Sequence, residues 1–372
     1  LTELRARLDT LATDTPAVMV PRDAARHAHW VRPKLVVEVA FAEFTGDNVV
    51  RHASFIGLRD DKPAPEVVAE RALTSASASA SASTSASAIK ITNPDRIVFP
   101  GDGITKQQLA DYYARIAPVM LPFTQDRPVS LIRCPQGHAK ACFFQKHDAG
   151  SFGEAVHKVA IAEKDGGTDD YLWLESAEGL RACVQMGTIE FHGWGSRASN
   201  VEHPDRLVID LDPDEGLGFE AVRTAAADIK QHLADLGLVS FALLSGGKGV
   251  HVVVPLTPDA AWPKVKDFAD RFARALAAAE PDRFVATMSK AKRKGRIFID
   301  WLRNQRGATA VLPYVVRARP GAPVAAPITW EELRDTQSAG RFGLADVDTL
   351  LARAASRDLR GWGVADQVLP DF

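Results

Sequence analysis

Leu4, Leu8 and Leu11 recur at helical spacing in a polar opening stretch, so residues 1–12 are predicted to form a short amphipathic helix. Two largely apolar runs follow, LVVEVAFAEF (35–44) and VVRHASFIGLR (49–59). They read as strands joined by the turn TGDN. Then the pattern stops. Residues 74–88 read TSASASASASTSASA, and Ser/Ala alternation has no large apolar side chain whose burial would offset the entropy of ordering. The segment reads as a flexible linker spanning roughly 20 Å r.m.s..

Beyond the linker, helical and strand periods alternate irregularly. In TKQQLADYYARIAPVML (105–121), Leu109, Tyr112, Tyr113 and Ile116 follow the 3.6-residue period behind a Thr105 cap. RPVSLIRC (127–134) and RLVIDLD (206–212) read as strands, the latter ending in acids. FEAVRTAAADIKQHLADLG (219–237) is a helix stopped by Gly237. FALLS (241–245) and HVVVPL (251–256) are strands around a glycine turn, and PKVKDFADRFARALAAAE (263–280) is a helix opened by Pro263. RIFIDWL (296–302) and ATAVLPYVVRAR (308–319) are predicted strands. ITWEELRD (328–335) starts a helix with a Thr cap and Glu three residues on. Without strict βαβ repetition the fold class is α+β. The division is 1–73, a linker at 74–88, and 89–372.

Length and composition agree. A chain of 372 residues suggests two or three domains, and 46% hydrophobic with 25% charged residues is ordinary for a soluble globular protein. No apolar run approaches the ~18–20 residues of a membrane span. The charged, amphipathic start shows no signal peptide, and its first residue, Leu1, suggests a piece of a longer protein. Three cysteines exclude a disulfide scaffold and fit a reducing cytosol. A net charge of −2 does not by itself point to nucleic acid, so local patches must. Residues 200–220 hold seven acids against Arg206, and 286–306 hold seven bases against Asp300. An acidic site beside a basic stretch suits a polyanion-processing centre, although charge runs are commonly solvated faces.

Candidate chemistry clusters at strand ends. Asp210 and Asp212 are two apart on a strand, so their carboxylates share a face and repel unless a cation lies between them. Such hard oxygens suit Mg²⁺ or Mn²⁺. An acidic turn at a strand end is the plainer explanation. Asp300, closing IFID, adds the third carboxylate of a two-metal arrangement. In LLSGGKGVHV (243–252), glycines let the backbone approach a phosphate, and Ser245, Lys248 and His251 add donors, although the Walker spacing is absent. His192 sits among aromatics in TIEFHGWGSR, where a packed core histidine is equally natural. Phe143 and Phe144 are adjacent in ACFFQKH, so one of them is available to stack on a base. Cys134, His138, Cys142 and His147 do not match a common zinc spacing.

Acid-x-acid, then SGGKGVH, then a strand-terminal Asp is the motif order of the archaeo-eukaryotic primase–polymerase superfamily. NPDRIVFP (93–100), TKQQLADYY (105–113), FFQKH (143–147), EFHGWGSR (190–197), PDRLVIDLDP (204–213) and DWLRNQRGATAVLPYVVRARPGAPV (300–324) further resemble the polymerase domain of bacterial DNA ligase D. The resemblance covers about 90–365. It implies mixed sheets with flanking helices and a nucleotidyltransferase that extends primers and fills gaps in double-strand break repair by non-homologous end joining. It implies that Asp210, Asp212 and Asp300 hold two divalent ions, Mn²⁺ being favoured. Ser245, Lys248 and His251 would hold the triphosphate of an NTP, with His192 and Arg317 nearby. Phe143 and Phe144 would stack on the template base, and Asn93, Arg96 and Lys106 would bind the 5′-phosphate of a downstream strand.

Other implications follow. Lys106 begins a predicted helix, where free backbone N–H groups attract anions. Ribonucleotide preference, DNA ends and gapped DNA as partners, the Ku end-binding protein, and a cytoplasmic, nucleoid-associated place in a bacterium are likewise implied, with no membrane. Val315 and Leu244 depart from the family, where Ser and Thr are usual, so contacts made by those hydroxyls are absent. WVRPKLVVEVAFAEF and RHASFIGLRDDKP resemble the C-terminal end of the ligase OB-fold domain, which gives Arg51, Arg59 and Lys62 a nucleotide role in a full ligase. The adenylation domain is not in this chain, so ligation is not expected. Two rival functions stay open: a catalytically inactive DNA-end binding module, and a metal-dependent nuclease, which needs the acids but not SGGKGVH.

Overall fold

The computed structural model describes residues 2–15, 17, 29–40, 43–44, 50–51, 54–58, 89–148, 150–163 and 166–371. They fall into two units, 1–71 and 72–372. In the first, helix α1 (Thr2–Asp9) precedes strands β1 (Val37–Ala40), β2 (Glu43–Phe44), β3 (Val50–Arg51) and β4 (Ser54–Leu58). β1 pairs antiparallel with β4 and β2 with β3, so each expected strand appears in two pieces. The TGDN turn, Arg59, Lys62 and the Ser/Ala linker lie outside the described residues, as does the side chain of Arg51.

The second unit begins with β5 (Ile97–Phe99), β6 (Ile104–Thr105) and α2 (Lys106–Thr124). Thr105 caps α2: its hydroxyl accepts from Gln108 N while the Gln108 side chain accepts from Thr105 N. One sheet then collects β7 (Val129–Arg133), β8 (Phe143–Gln145), β9 (His157–Ala162), β10 (Thr168–Trp173), and, after α3 (Ala177–Gln185), β11 (Thr188–Trp194). β12 (Ser196–Arg197) and β13 (Asn200–Pro204) form a short ribbon leading into β14 (Arg206–Pro213). After α4 (Phe219–Asp235) come β15 (Phe241–Leu244), β16 (Val250–Pro255), α5 (Trp262–Ala279), β17 (Phe284–Val285), β18 (Ile297–Asp300), β19 (Thr309–Val311), β20 (Ala326–Ile328), α6 (Trp330–Asp335) and α7 (Val347–Ala354). The first sheet runs β19-β11-β7-β10-β9 with β8 also on β7, and the second runs β17-β18-β14-β16-β15-β20. Mixed sheets with flanking helices make this an α+β fold.

The period of two along β14 positions the chemistry. Leu207, Ile209 and Leu211 are buried in the core, where α4 packs on β14 and β16, and α5 on β14 and β17. Asp210 and Asp212, on the alternate positions, take the opposite face. Gly237, with φ +77°, ends α4 as expected, and Thr329 caps α6 in a box with Glu332. No helix among the described residues is long and apolar enough to cross a membrane.

Two expectations are corrected. The predicted strand 308–319 stops at Val311. Pro313 has no N–H for a ladder, and Tyr314 takes φ +67°, so the chain turns. α2 fixes that turn: Tyr112 Oη donates to Tyr314 O at 2.8 Å, and Tyr113 Oη accepts from Val316 N at 3.1 Å. The cysteines also do not all remain thiols, because the turn between Cys134 and Cys142 brings them together as a disulfide. Leu244 and Val315 are both wholly buried, so core packing is what these positions supply here.

Candidate active site

Asp210 on β14 lies in register with Asp300 on β18 and with His251 on β16. His251 Nε2 is 3.4 Å from Asp210 Oδ1. Arg303 forms ion pairs with Asp210 Oδ2 at 3.2 Å and Asp300 Oδ2 at 3.1 Å, and Arg293 Nη1 donates to Asp212 Oδ2 at 3.0 Å. Burial pushes the Asp210 carboxyl up, but His251, Arg303 and Arg317 outweigh it and hold the group below the ordinary carboxylate range. Asp212 and Asp300 go the other way. Burial raises both, the charge on Asp210 adds to that, and the arginines only partly compensate. The charge on Asp212 and Asp300 is therefore only partly balanced by their surroundings. Hard oxygens with surplus charge on adjacent strands fit divalent cations such as Mg²⁺ or Mn²⁺.

The glycine turn faces these acids. A Cβ on Gly249 would lie 2.1 Å from Leu211 O, so only glycine lets the turn approach β14 this closely at Leu211, between the two aspartates. Gly246 has φ +66°, and a Cβ there would meet Arg317 Cγ at 2.7 Å. Lys248 is half-exposed, with Nζ 3.6 Å from Glu215. The Ser245 hydroxyl donates to Gly249 O at 2.8 Å and accepts from Gly247 N at 3.2 Å, so it shapes the turn. His251 likewise sits against Asp210, within the acidic set.

Glu190 was not singled out by the sequence. It is buried and receives three donors. His192 Nε2 lies 2.8 Å from Oε2, Arg317 Nε donates to Oε2 at 2.8 Å, and Ala318 N donates to Oε1 at 2.7 Å. Burial pushes its carboxyl up, but His192 and Arg317 pull harder and it settles at about 2. Burial in turn lowers His192, against the pull of Glu190. Arg317 also donates to Ser245 O, so Glu190 ties His192 and the glycine turn together. The acid two residues before His192 in EFHGWGSR was the available signal.

Phe143 and Phe144 separate as expected. Phe144 is 43% exposed, with its ring centroid 6.1 Å from that of His192. Phe143 lies under the Arg133 guanidinium, 5.2 Å from the ring centroid. A cavity of about 550 Å³ lined by Phe241, Trp330 and Trp362 is at the β15–β20 edge and contains none of these residues.

The third group does not join them. Asn93 is exposed in the left-handed region, φ +51°, and Arg96 Nη1 donates to Pro135 O at 2.8 Å. Lys106 lies inside the fold. It is 4% exposed, and its Nζ donates to Thr92 O at 3.2 Å, Gln185 O at 2.7 Å and Gln185 Oε1 at 3.0 Å. The first amides of α2 are not free either: Lys106 N bonds to Arg96 O and Gln107 N to Pro94 O, because the NPDR turn folds onto the helix start.

Comparison with known proteins is consistent with this geometry. Residues 105–359 match the family model "LigD, primase-polymerase domain", and residues 1–62 match "ATP dependent DNA ligase C terminal region". The chain is 41% identical over 369 residues to the multifunctional non-homologous end joining protein LigD of Pseudomonas aeruginosa, covering 96% of the chain and 44% of that relative. It is 36% identical over 251 residues to the protein of the same name from Mycolicibacterium smegmatis, covering 67% of the chain and 33% of the relative. The chain thus spans less than half the length of these relatives. A solved polymerase domain from Mycobacterium tuberculosis ligase D in complex with DNA superposes with a TM-score of 0.68 at 34% identity, covering 73% of this chain and 96% of that one.

Proposed function

The chain belongs to the LigD primase–polymerase family, and on that premise we propose that residues 89–372 are a template-directed nucleotidyltransferase. It extends primers and fills gaps at DNA ends in bacterial double-strand break repair by non-homologous end joining, alongside Ku. Residues 1–73 are the end of a ligase OB-fold domain. One observation carries the reading: Asp210, Asp212 and Asp300 lie on adjacent strands, with the glycine turn that bears Lys248 held close beside them at Leu211. Two divalent ions held by these acids would supply charge neutralisation at the α-phosphorus and an activated primer hydroxyl.

The chain's own residues do the rest. Lys248, on a turn made close-fitting by Gly249, meets the triphosphate. Arg317 and His192, oriented by Glu190, bound the nucleotide. Phe144 offers an exposed face to the template base. The 3′-hydroxyl oxygen bonds to the α-phosphorus as the bond from the α-phosphorus to the bridging oxygen of pyrophosphate breaks; the hydroxyl proton passes to solvent, and Lys248 and Arg317 steady the charge on the departing pyrophosphate. A downstream 5′-phosphate meets Asn93 and Arg96, with Lys106 contributing a positive charge from beneath rather than a direct contact.

The nuclease alternative needs the acids but not the nucleotide-facing groups. Gapped DNA, all four NTPs and Mn²⁺ separate the readings. The proposal expects a labelled primer to lengthen by the nucleotide that the template specifies. Shortened primer, or a primer bound but unchanged, defeats it.

A further inference from the structure

The geometry points to a second metal site, for a divalent transition ion of the zinc class, built from His147, Glu163 and Asp169. It lies on the first sheet. His147 follows β8, Glu163 follows β9, and Asp169 is on β10. One ligand atom from each residue falls within 4.8 Å of the others. His147 Nδ1 is buried without a hydrogen-bond partner and is 3.7 Å from Asp169 Oδ2. A buried ring nitrogen without a partner is costly unless something binds it, and here it lies beside two carboxylates. One imidazole with two carboxylates is a donor set for zinc or its neighbours in the first transition row.

The surroundings allow the site to close. Around one ion with bonds of about 2.0–2.2 Å, tetrahedral ligand atoms stand ~3.4 Å apart, so the carboxylates must move inward by about 1 Å. Asp169 is 55% exposed and has room to do so. Tyr171 Oη donates to Glu163 Oε1 at 2.5 Å and so orients the carboxylate, as outer hydrogen bonds commonly do around metal ligands. Arg306, whose charge Glu163 feels, is committed to Glu202 at 2.8 and 3.0 Å. His147 is also what remains of the Cys134, His138, Cys142 and His147 run. The disulfide removes both thiolates, and His138 Nδ1 faces Val98 O at 3.2 Å. An ion here would pin the β9–β10 hairpin to the end of the strand that carries Phe143 and Phe144. The rival is a plain histidine–carboxylate contact between His147 and Asp169.

The test uses the full chain carrying Asp210→Asn, Asp212→Asn and Asp300→Asn, which removes the catalytic acids, and reads Zn²⁺ by equilibrium dialysis. The expected result is one Zn²⁺ per chain at about micromolar concentration, weakened at least tenfold by a further Asp169→Asn. Because Asp169 is half-exposed, that variant should fold, as its melting curve would verify, and His147→Gln serves as the second variant. The Co²⁺-loaded chain should show ligand-field absorption that disappears in both variants. No bound Zn²⁺, or binding unchanged by Asp169→Asn and His147→Gln, overturns the site and leaves the plain contact.

Discussion

Asp210 and Asp300 stand opposite each other on neighbouring antiparallel strands, and Arg303 pairs with both, at 3.2 and 3.1 Å. The guanidinium is the local counter-charge for acids that burial and mutual repulsion would otherwise drive toward protonation. Arg303→Gln should therefore lower stability in EDTA by about 1–3 kcal/mol, the usual result of leaving charged groups unpaired. Added Mn²⁺ should recover most of the loss, because a cation replaces the missing charge. A melting temperature unaffected by Mn²⁺ in the variant would contradict this.

Phe144→Ala and Phe143→Ala should have different effects. Phe144 is exposed beside His192, so its loss should reduce templated addition by about 1–3 kcal/mol, the range for one stacked base, with little change in melting. Phe143, under Arg133, should mainly lower the melting temperature. Equal melting losses with unchanged DNA affinity would assign both rings to packing.

Glu190 predicts an acid-sensitive hinge. Its carboxyl lies at about 2 in the folded chain against an ordinary 4.5, so the stability it supplies is complete above pH 4.5 and fades as pH falls toward 2. The contribution is about 3 kcal/mol by linkage. Unfolding followed between pH 6 and 2.5 should show a steeper loss for the unmodified chain than for Glu190→Gln, and the variant should also raise the KM for NTP. Parallel pH profiles would remove Glu190 from this role.

The 5′-phosphate divides Arg96 from Lys106. Lys106→Met removes the buried donor to Thr92 O and Gln185 O and should destabilise the chain by about 1–3 kcal/mol. Arg96→Ala gives up one bond, to Pro135 O, so it should lower the melting temperature less than Lys106→Met while narrowing the affinity gap between DNA with a 5′-phosphate and DNA with a 5′-hydroxyl. A full gap in Arg96→Ala would place the phosphate elsewhere.

Local signals made much of this legible. Thr105 and Thr329 cap where side-chain chemistry requires, Gly237 stops its helix, and alternation along 206–213 puts Asp210 and Asp212 on one face. The illegible parts depend on contacts distant in sequence. Nothing near Lys106 announces that Gln185 will take its ammonium, and nothing near Tyr314 shows that α2 will hold it in a left-handed turn. Glu190 is an unremarkable acid in a strand until Arg317, far along the chain, closes on it. Resemblance supplied Arg317 itself, but only the fold shows what orients it.

Single-nucleotide addition to a gapped primer by the unmodified chain and by Asp212→Asn, with Mn²⁺ and the matching NTP, tests the central claim most directly. Burial and Asp210 hold the Asp212 carboxyl above its ordinary range, so the substitution removes an unfavourable charge and should leave the melting temperature unchanged or raised. Templated addition is expected from the unmodified chain, and a folded Asp212→Asn protein should add less than a few per cent as much. Addition that persists in folded Asp212→Asn, or that needs no divalent ion, would contradict the claim.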